Sequence, residues 1–405
     1  MGAGAFFLPI AREFGTTRGA LSWAYAAIRL EGGLTGPIEG FLIDKFGPRR
    51  VMLVGWFVFG LGFILLSEVR SLPQFYVAFL ITALGNSLSG FLPIATCVVN
   101  WFMRRRGTAL GIVLAGNSLG GVFVPVLALS ITNFGWRPTA AGVGVFVMLV
   151  GLPIASVMRR RPEDYGYMPD GAFPREAASD IPASHVDTTE TDSPGDDTTV
   201  EHDMSARQAL KTSAFWLLAL SHSGSLTAWS AVAVHLIPAL VDNGLSEPQA
   251  ASIFGVLAIV ATASRLAGGI LGDRLGLKRV LIASFVVQAV AMVVLAFTTT
   301  TWQAILFAVL MGIGFGARGP LNAAFRGNLF GRSNFATISG AMEPITMIGL
   351  VIAPVFAGLV YDSRQSYTLA FLTIALVNAA SALFVLPIRR PSPAVPKTGV
   401  SSLSD

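Results

Sequence analysis

The feature that most constrains this chain is a succession of apolar runs, each about 20 residues long and nearly free of charge, that recurs from one end to the other. At about 1.5 Å per residue, a run of that length crosses the roughly 30 Å hydrocarbon core of a bilayer as a helix. Helix is the solution lipid leaves open, because the backbone must satisfy its own hydrogen bonds there. The runs fall near 20–43, 50–68, 74–102, 107–132 and 138–158, then near 213–240, 250–271, 279–299, 302–325, 335–360 and 367–388. Met1–Ala11 is also apolar but covers only about 16 Å as helix, so it reads as the distal half of a twelfth span whose start lies upstream. The expected fold class is an all-α polytopic membrane protein with its first helix truncated.

Composition removes the alternatives. With 53% apolar and 13% charged residues, against about 25% charged in soluble domains, a soluble globule is excluded. A single cysteine, four histidines and the lack of a phosphate-binding glycine loop argue against metal, nucleotide and thiol chemistry, so neither an enzyme nor a cofactor is expected. The net charge of +5 does not call for nucleic acid, because the basic residues gather at the ends of the apolar runs. Twenty of the 28 lie on one side, among them Arg104 to Arg106, Arg159 to Arg161, Arg326 and Arg332, and that excess predicts the cytoplasmic face. Residues 159–211 follow three arginines with a Pro-, Asp-, Thr- and Ser-rich stretch that holds 12 of the 23 acidic residues, the composition of a disordered linker. The expected organisation is a six-helix unit at 1–158, the cytoplasmic acidic linker at 159–211, a second six-helix unit at 212–388 and a cytoplasmic tail at 389–405.

An internal repeat supports two related halves. The loop after the second span contains Gly40, Asp44, Lys45, Gly47, Arg49 and Arg50; the loop after the eighth contains Gly269, Asp273, Arg274, Gly276, Lys278 and Arg279, at a constant offset of 229. Glycine lets helices approach closely, an aspartate at a helix end can meet a neighbouring helix's N-terminus or an arginine, and the trailing cations anchor the loop in the cytoplasm. These loops resemble the signature of the major facilitator superfamily, and the resemblance covers nearly the whole chain. It implies two pseudo-symmetric six-helix bundles and makes these ten glycines, aspartates and arginines a cytoplasmic gate motif. The stretch from Asn100 to Gly111, the segment Gly116 to Gly121 and Phe134-Gly-Trp-Arg137 are similar to the oxalate:formate antiporter and monocarboxylate transporter group. That likeness implies that Arg265 engages a substrate carboxylate. The aspartate that monocarboxylate transporters carry four residues earlier is Ala261 here, and 335–360 has no lysine to match the antiporter's.

A charged side chain inside a span costs about 2.5–3.5 kcal/mol on insertion scales, so each asks for a partner or a function. Six qualify: Arg29, Glu31, Glu39, Arg265, Arg318 and Glu343. They can simply neutralise one another. Read as functional, Arg265 holds a carboxylate through its fork; Arg318, among glycines and Pro320, contacts substrate or packs a gate; and Glu31 and Glu343 carry protons. Arg29, Asn117 and Trp229 complete the candidate substrate site, with Asn86 and Asn322 as further cavity linings. His222 and His235 fall on different faces of one helix and read as packing residues.

The function expected is secondary transport of a small organic anion, a mono- or dicarboxylate, by alternating access, with a proton as symport partner or a second anion in exchange. The alternatives are a multidrug:proton antiporter or a non-transporting receptor on the same fold. The expected setting is the plasma or inner membrane, multi-pass, with lipid as neighbour, no nucleic acid, and the monomer as functional unit.

Overall fold

The computed structural model describes residues 6, 13, 14, 18–171 and 203–390, with the side chains of 18–31, 119, 121, 122 and 124 set aside. Among the described residues the regular structure is helix without strand. The first half contributes α1 (Arg18–Phe46), α2 (Pro48–Ser67), α3 (Leu72–Ser89), α4 (Phe91–Trp101), α5 (Arg106–Leu119), α6 (Val124–Phe134) and α7 (Trp136–Val157). The second contributes a short α8 (Ala206–Ala209), then α9 (Ser213–Asp242), α10 (Glu247–Leu275), α11 (Leu277–Ala296), α12 (Thr301–Phe330), α13 (Phe335–Arg364) and α14 (Thr368–Val385). Helix α3 runs into α4 through a bend at Gly90, and a 3-10 turn at Gly120–Phe123 joins α5 to α6. Nine spans among the described residues are long and apolar enough to cross a membrane, α3 and α4 counting as one.

The offset of 229 extends from the signature loops to the helix bounds. It carries α1 onto α10, α2 onto α11, and the α3–α4 span onto α12, end for end. Each loop turns at a glycine with positive φ, 87° at Gly47 and 97° at Gly276, where a side chain would be strained. Inside the halves, α2 packs on α3 and α7, while α12 packs on α10 and α11, and α9 on α13 and α14. Between the halves, α1 lies against α13, and α5 against α10 and α12. Many Phe, Leu, Ile and Val side chains face outward, among them Phe57, Phe146, Leu149, Ile259 and Leu376, as a surface bathed in lipid requires.

The two ends of the acidic stretch, 159–171 and 203–211, are among the described residues. Residues 159–171 lie on the end of the molecule that carries the signature loops, here called the basic end: the Asn100 amide donates to the Arg160 carbonyl at 3.0 Å and the Trp101 indole to the Arg159 carbonyl at 3.0 Å. Ser205 caps α8 with a reciprocal hydrogen bond to Gln208, and the Met204 N–H donates to the Phe330 carbonyl. These polar groups at helix ends offer partners that composition does not reveal. Residues 172–202 lie outside the described residues, as do the first residues of the expected twelfth span and the tail from 391 onward.

Candidate functional site

The basic end is closed by two equivalent latches. The Asp44 carboxylate accepts hydrogen bonds from the backbone N–H of Ala336 (3.3 Å) and Thr337 (2.7 Å) and from the Thr337 hydroxyl (2.6 Å), at the start of α13. The Asp273 carboxylate accepts from Gly107 N–H (2.9 Å), Thr108 N–H (2.7 Å) and the Thr108 hydroxyl (2.7 Å), at the start of α5. A carboxylate on the free N–H groups of a helix start answers both the unmade hydrogen bonds and the dipole. The partners are again 229 apart, so each half caps a helix of the other. Close approach depends on glycine: a Cβ on Gly40 would lie 2.2 Å from the Ala336 carbonyl oxygen, and one on Gly269 would lie 2.1 Å from that of Gly107.

A second pair of aspartates, from the ends of the acidic stretch, repeats this plan. Asp170 accepts from the N–H groups of Met103 and Arg104, and Asp203 from those of Arg332 and Ser333, the equivalent positions. Arg332 pairs with Glu163 at 2.5 Å and Arg161 donates to the Ser333 hydroxyl at 3.0 Å, tying the halves together. Among the signature arginines, Arg50, Arg274 and Arg279 are exposed and Arg49 is half-buried; the hydrogen bonds come instead from Arg160, to the Asp44 carbonyl at 2.6 Å, and Lys278, to the carbonyls of Leu386 and Ile388. At the opposite end the Arg137 guanidinium, and after it the Trp136 indole, bind Glu13 at 2.6 Å each and hold its carboxyl below the usual range.

Between the two ends, the second half gathers cations. Arg265, His222 and Arg318 sit nine to twelve residues in from the basic ends of α10, α9 and α12, roughly 14–18 Å along a helix and near the middle of a bilayer. Arg265 crosses to the other half, donating to the Leu114 carbonyl at 2.9 Å and to the Ser118 hydroxyl, both on α5. Arg318 is buried and donates to His222 Nδ1 at 2.7 Å, and the Asn322 amide donates to the same nitrogen at 2.7 Å. The Arg318 guanidinium lies over the Phe315 ring, 5.1 Å from its centre, and Phe315 stacks on Trp229 at 4.1 Å. Among the described residues no carboxylate pairs with Arg265, Arg318 or Arg326. The Nε of Arg318, the Oδ1 of Asn322 and the Nε of Arg326 are buried without a hydrogen-bond partner. Arg318, Asn322 and Arg326 occupy one face of α12 at a spacing of four.

Arg326 is the clearest departure from the sequence reading, which left it in a loop with the topology cations. It is 7% exposed and inside α12, because the helix continues five residues past the apolar run, to Phe330. Arg106 is likewise no loop cation: it is 2% exposed and its guanidinium donates to the carbonyls of Val99 and Phe102 and to Asn328. Glu343 accepts from the Thr346 hydroxyl at 3.0 Å and lies in the electrostatic range of Arg326 and of Glu39 on α1. Glu39 is 5% exposed and takes the Thr35 hydroxyl at 2.8 Å. The structure thus brings Arg318 and Trp229 together, keeps Arg265 on α5 within electrostatic range of Arg318, and sets Glu343 beside Arg326. Asn117 is exposed and is not among Arg265's partners, whose hydroxyl comes from the next residue. Arg29 and Glu31 lie on α1, and their side chains are outside the described residues. Sequence reading took His222 for a packing residue and Asn322 for a cavity lining; the four-residue spacing on α12 was the available signal that Asn322 shares a face with Arg318 and Arg326.

The model of the Major Facilitator Superfamily matches residues 1–236 and again 218–403. The chain is 25% identical over 380 residues to Monocarboxylate transporter 12 of Xenopus laevis, covering 91% of this chain and 80% of that one. To Monocarboxylate transporter 13 of Rattus norvegicus it is 24% identical over 392 residues, with 95% and 84% covered. Among solved structures, FucP in the outward conformation matches with a TM-score of 0.72 at 16% identity, covering 95% of this chain and 93% of that one. The human organic anion transporter MFSD10 matches with a TM-score of 0.64 at 16% identity, with 95% and 89% covered.

Proposed function

Because this chain belongs to the Major Facilitator Superfamily and is one of its transporters, we propose that its cargo is a small organic anion, a mono- or dicarboxylate, bound between the halves at Arg265 and Arg318. The observation that carries the reading is a buried guanidinium at mid-membrane with an unused N–H and, among the described residues, no counter-charge. Such a cation is costly unless an anion completes it. Relatives named monocarboxylate transporters support the choice of anion. The aromatic wall of Trp229 and Phe315 suits the apolar body of a short organic acid.

Transport proceeds by alternating access. The two aspartate latches hold the basic end shut while the site faces the other side; their release opens it. Load reaches the membrane either with a proton, for which Glu343 is one carrier, or in exchange for a second anion. The basic end, the 159–211 stretch and the 389–405 tail face the cytoplasm of a plasma or inner membrane, and the monomer is the working unit.

Uptake of radiolabelled mono- and dicarboxylates into proteoliposomes tests this. Arg265→Lys keeps the charge without the fork, so the apparent affinity should fall about tenfold to a hundredfold in a folded, inserted protein. Normal affinity in both Arg265→Lys and Arg265→Ala would remove Arg265 from the site.

A further inference from the structure

His222 has a chemical position that packing alone does not explain. A guanidinium can only donate, so the Nδ1 that Arg318 approaches must be an acceptor, and the neutral ring carries its proton on Nε2. The Asn322 amide points its donor at the same lone pair. Two buried donors therefore converge on one nitrogen, and each keeps a further polar atom unpartnered, Arg318 Nε and Asn322 Oδ1. His222 as a residue is half-buried, beside Arg318.

We propose that His222 is the proton site of this transporter, and that it couples proton to cargo by competing with the substrate carboxylate for Arg318. The proposal rests on the reading that Arg318 takes the carboxylate. In the empty site the unprotonated Nδ1 holds the guanidinium. A proton entering on that lone pair turns Nδ1 from acceptor to donor, breaks the two hydrogen bonds to it and frees Arg318 NH1, while the new N–H itself points at the same space. An incoming carboxylate then accepts from His222 Nδ1 and from Arg318 together. The proton and a monocarboxylate enter as a neutral pair, and a dicarboxylate with one proton keeps one negative charge; no covalent bond is broken.

The surrounding charges make the two arrivals depend on each other. From α12, Arg318 and Arg326 face His222; from α10, Arg265 faces Arg318; from α13, Glu343 faces Arg326, and Glu39 on α1 faces Glu343. Helix α14, which also packs on α9, carries no ionisable side chain, and α11 has only Lys278 and Arg279 at its basic end. A proton alone would put one more positive charge beside two guanidiniums, and an anion alone would have to displace His222 from Arg318. Together they give the new N–H and the freed guanidinium a shared acceptor, which is positive coupling between two ligands.

Proteoliposome uptake of radiolabelled acetate, lactate, pyruvate and oxalate, driven by an inward proton gradient, tests this, with His222→Asn as the main variant. The Asn Oδ1 can take the place of Nδ1 as acceptor but cannot titrate. With a gradient of one pH unit the wild type should concentrate a carried monocarboxylate up to about tenfold. His222→Asn should lose gradient-driven accumulation and fall to simple equilibration at most. Retention of gradient-driven accumulation in His222→Asn overturns the proposal, and its loss in Glu343→Gln alone reassigns the proton to Glu343. Should His222→Asn fail to fold, proton uptake on carboxylate binding to the wild type, read with a pH dye, decides: about one proton per anion is expected and none overturns it. Wild-type uptake that ignores the proton gradient sinks the proton site but leaves the anion reading standing. Uptake of none of the four acids sinks both.

Discussion

The contacts around Asp44 and Asp273 agree residue for residue across the 229 offset, whereas the positions equivalent to Arg265, Arg318, Asn322 and Arg326 are Gly36, Ser89, Pro93 and Cys97. The contrast is sharp where the two interfaces cross. Arg265 rests on Leu114 in one, and the equivalent pair in the other is Gly36 against Glu343, where a Cβ on the glycine would lie 2.8 Å from the Glu343 Cβ. A gate that opens by rocking two halves is served by matched contacts, since both must break together. A small charged ligand has no two-fold axis, so the groups that meet it have no reason to be duplicated. The repeat therefore marks the gate, and its failure marks the site.

The matched gate can be broken most severely at its glycines. Gly40→Val and Gly269→Val should each abolish closure of the basic end, since even a Cβ would sit 2.2 and 2.1 Å from a carbonyl oxygen. Spin labels at the exposed positions 50 and 279 should then report only the open distance, in both variants alike. An effect in one and not the other would end the symmetry argument. The unmatched site is sharpened by the pair Arg318→Gln and Ser89→Ala. The first should lower apparent anion affinity by tenfold or more, at about 1.5–3 kcal/mol for a charge-assisted hydrogen bond. The second removes only the hydroxyl that bonds the Gly85 carbonyl and should leave affinity unchanged.

Weaker effects belong to the latches. Asp44→Asn and Asp273→Asn keep an acceptor but lose the charge, so each should shift the closed-to-open ratio by about five- to thirtyfold, the equivalent of one to two kcal/mol. The shifts, read by the same spin-label distances, should match. Asp170→Ala and Asp203→Ala, on exposed turns, should each cost less than that, again as equals. Least of all is expected at the opposite end, at Glu13. The Arg137 guanidinium holds its carboxyl below the usual glutamate range, so its contribution is present above that range and lost as pH falls through the lowered value. Glu13→Gln should lower the melting temperature slightly between pH 5 and 8, and the difference from wild type should disappear in stronger acid.

The helices were legible because lipid leaves few options: an apolar run of span length must close its own hydrogen bonds, and the ends of the runs fall within a few residues of the observed helices. Asp44 and Asp273 were legible because the repeat set them at equivalent helix ends, and one of the two partners considered for them, a neighbouring helix's N-terminus, is the one they meet. Arg326 was not, since Arg326, Asn328 and Gly331 make the end of α12 look like a loop, although its side chain is packed inside. His222 was not, because its meaning depends on two side chains on a helix 96 and 100 residues away. Local pattern shows which residue is unusual in lipid. It does not show what meets it.

The most direct test of an unduplicated cationic site is thermal stabilisation of the purified protein across mono- and dicarboxylates, sugars and lipophilic cations, since a ligand that binds the folded state raises its apparent stability. Carboxylates alone should raise the melting temperature, and Arg318→Gln should cancel the rise while leaving the unliganded melting curve cooperative. Stabilisation by sugars or lipophilic cations with none by any carboxylate, or a carboxylate response that survives in Arg318→Gln, would contradict the account.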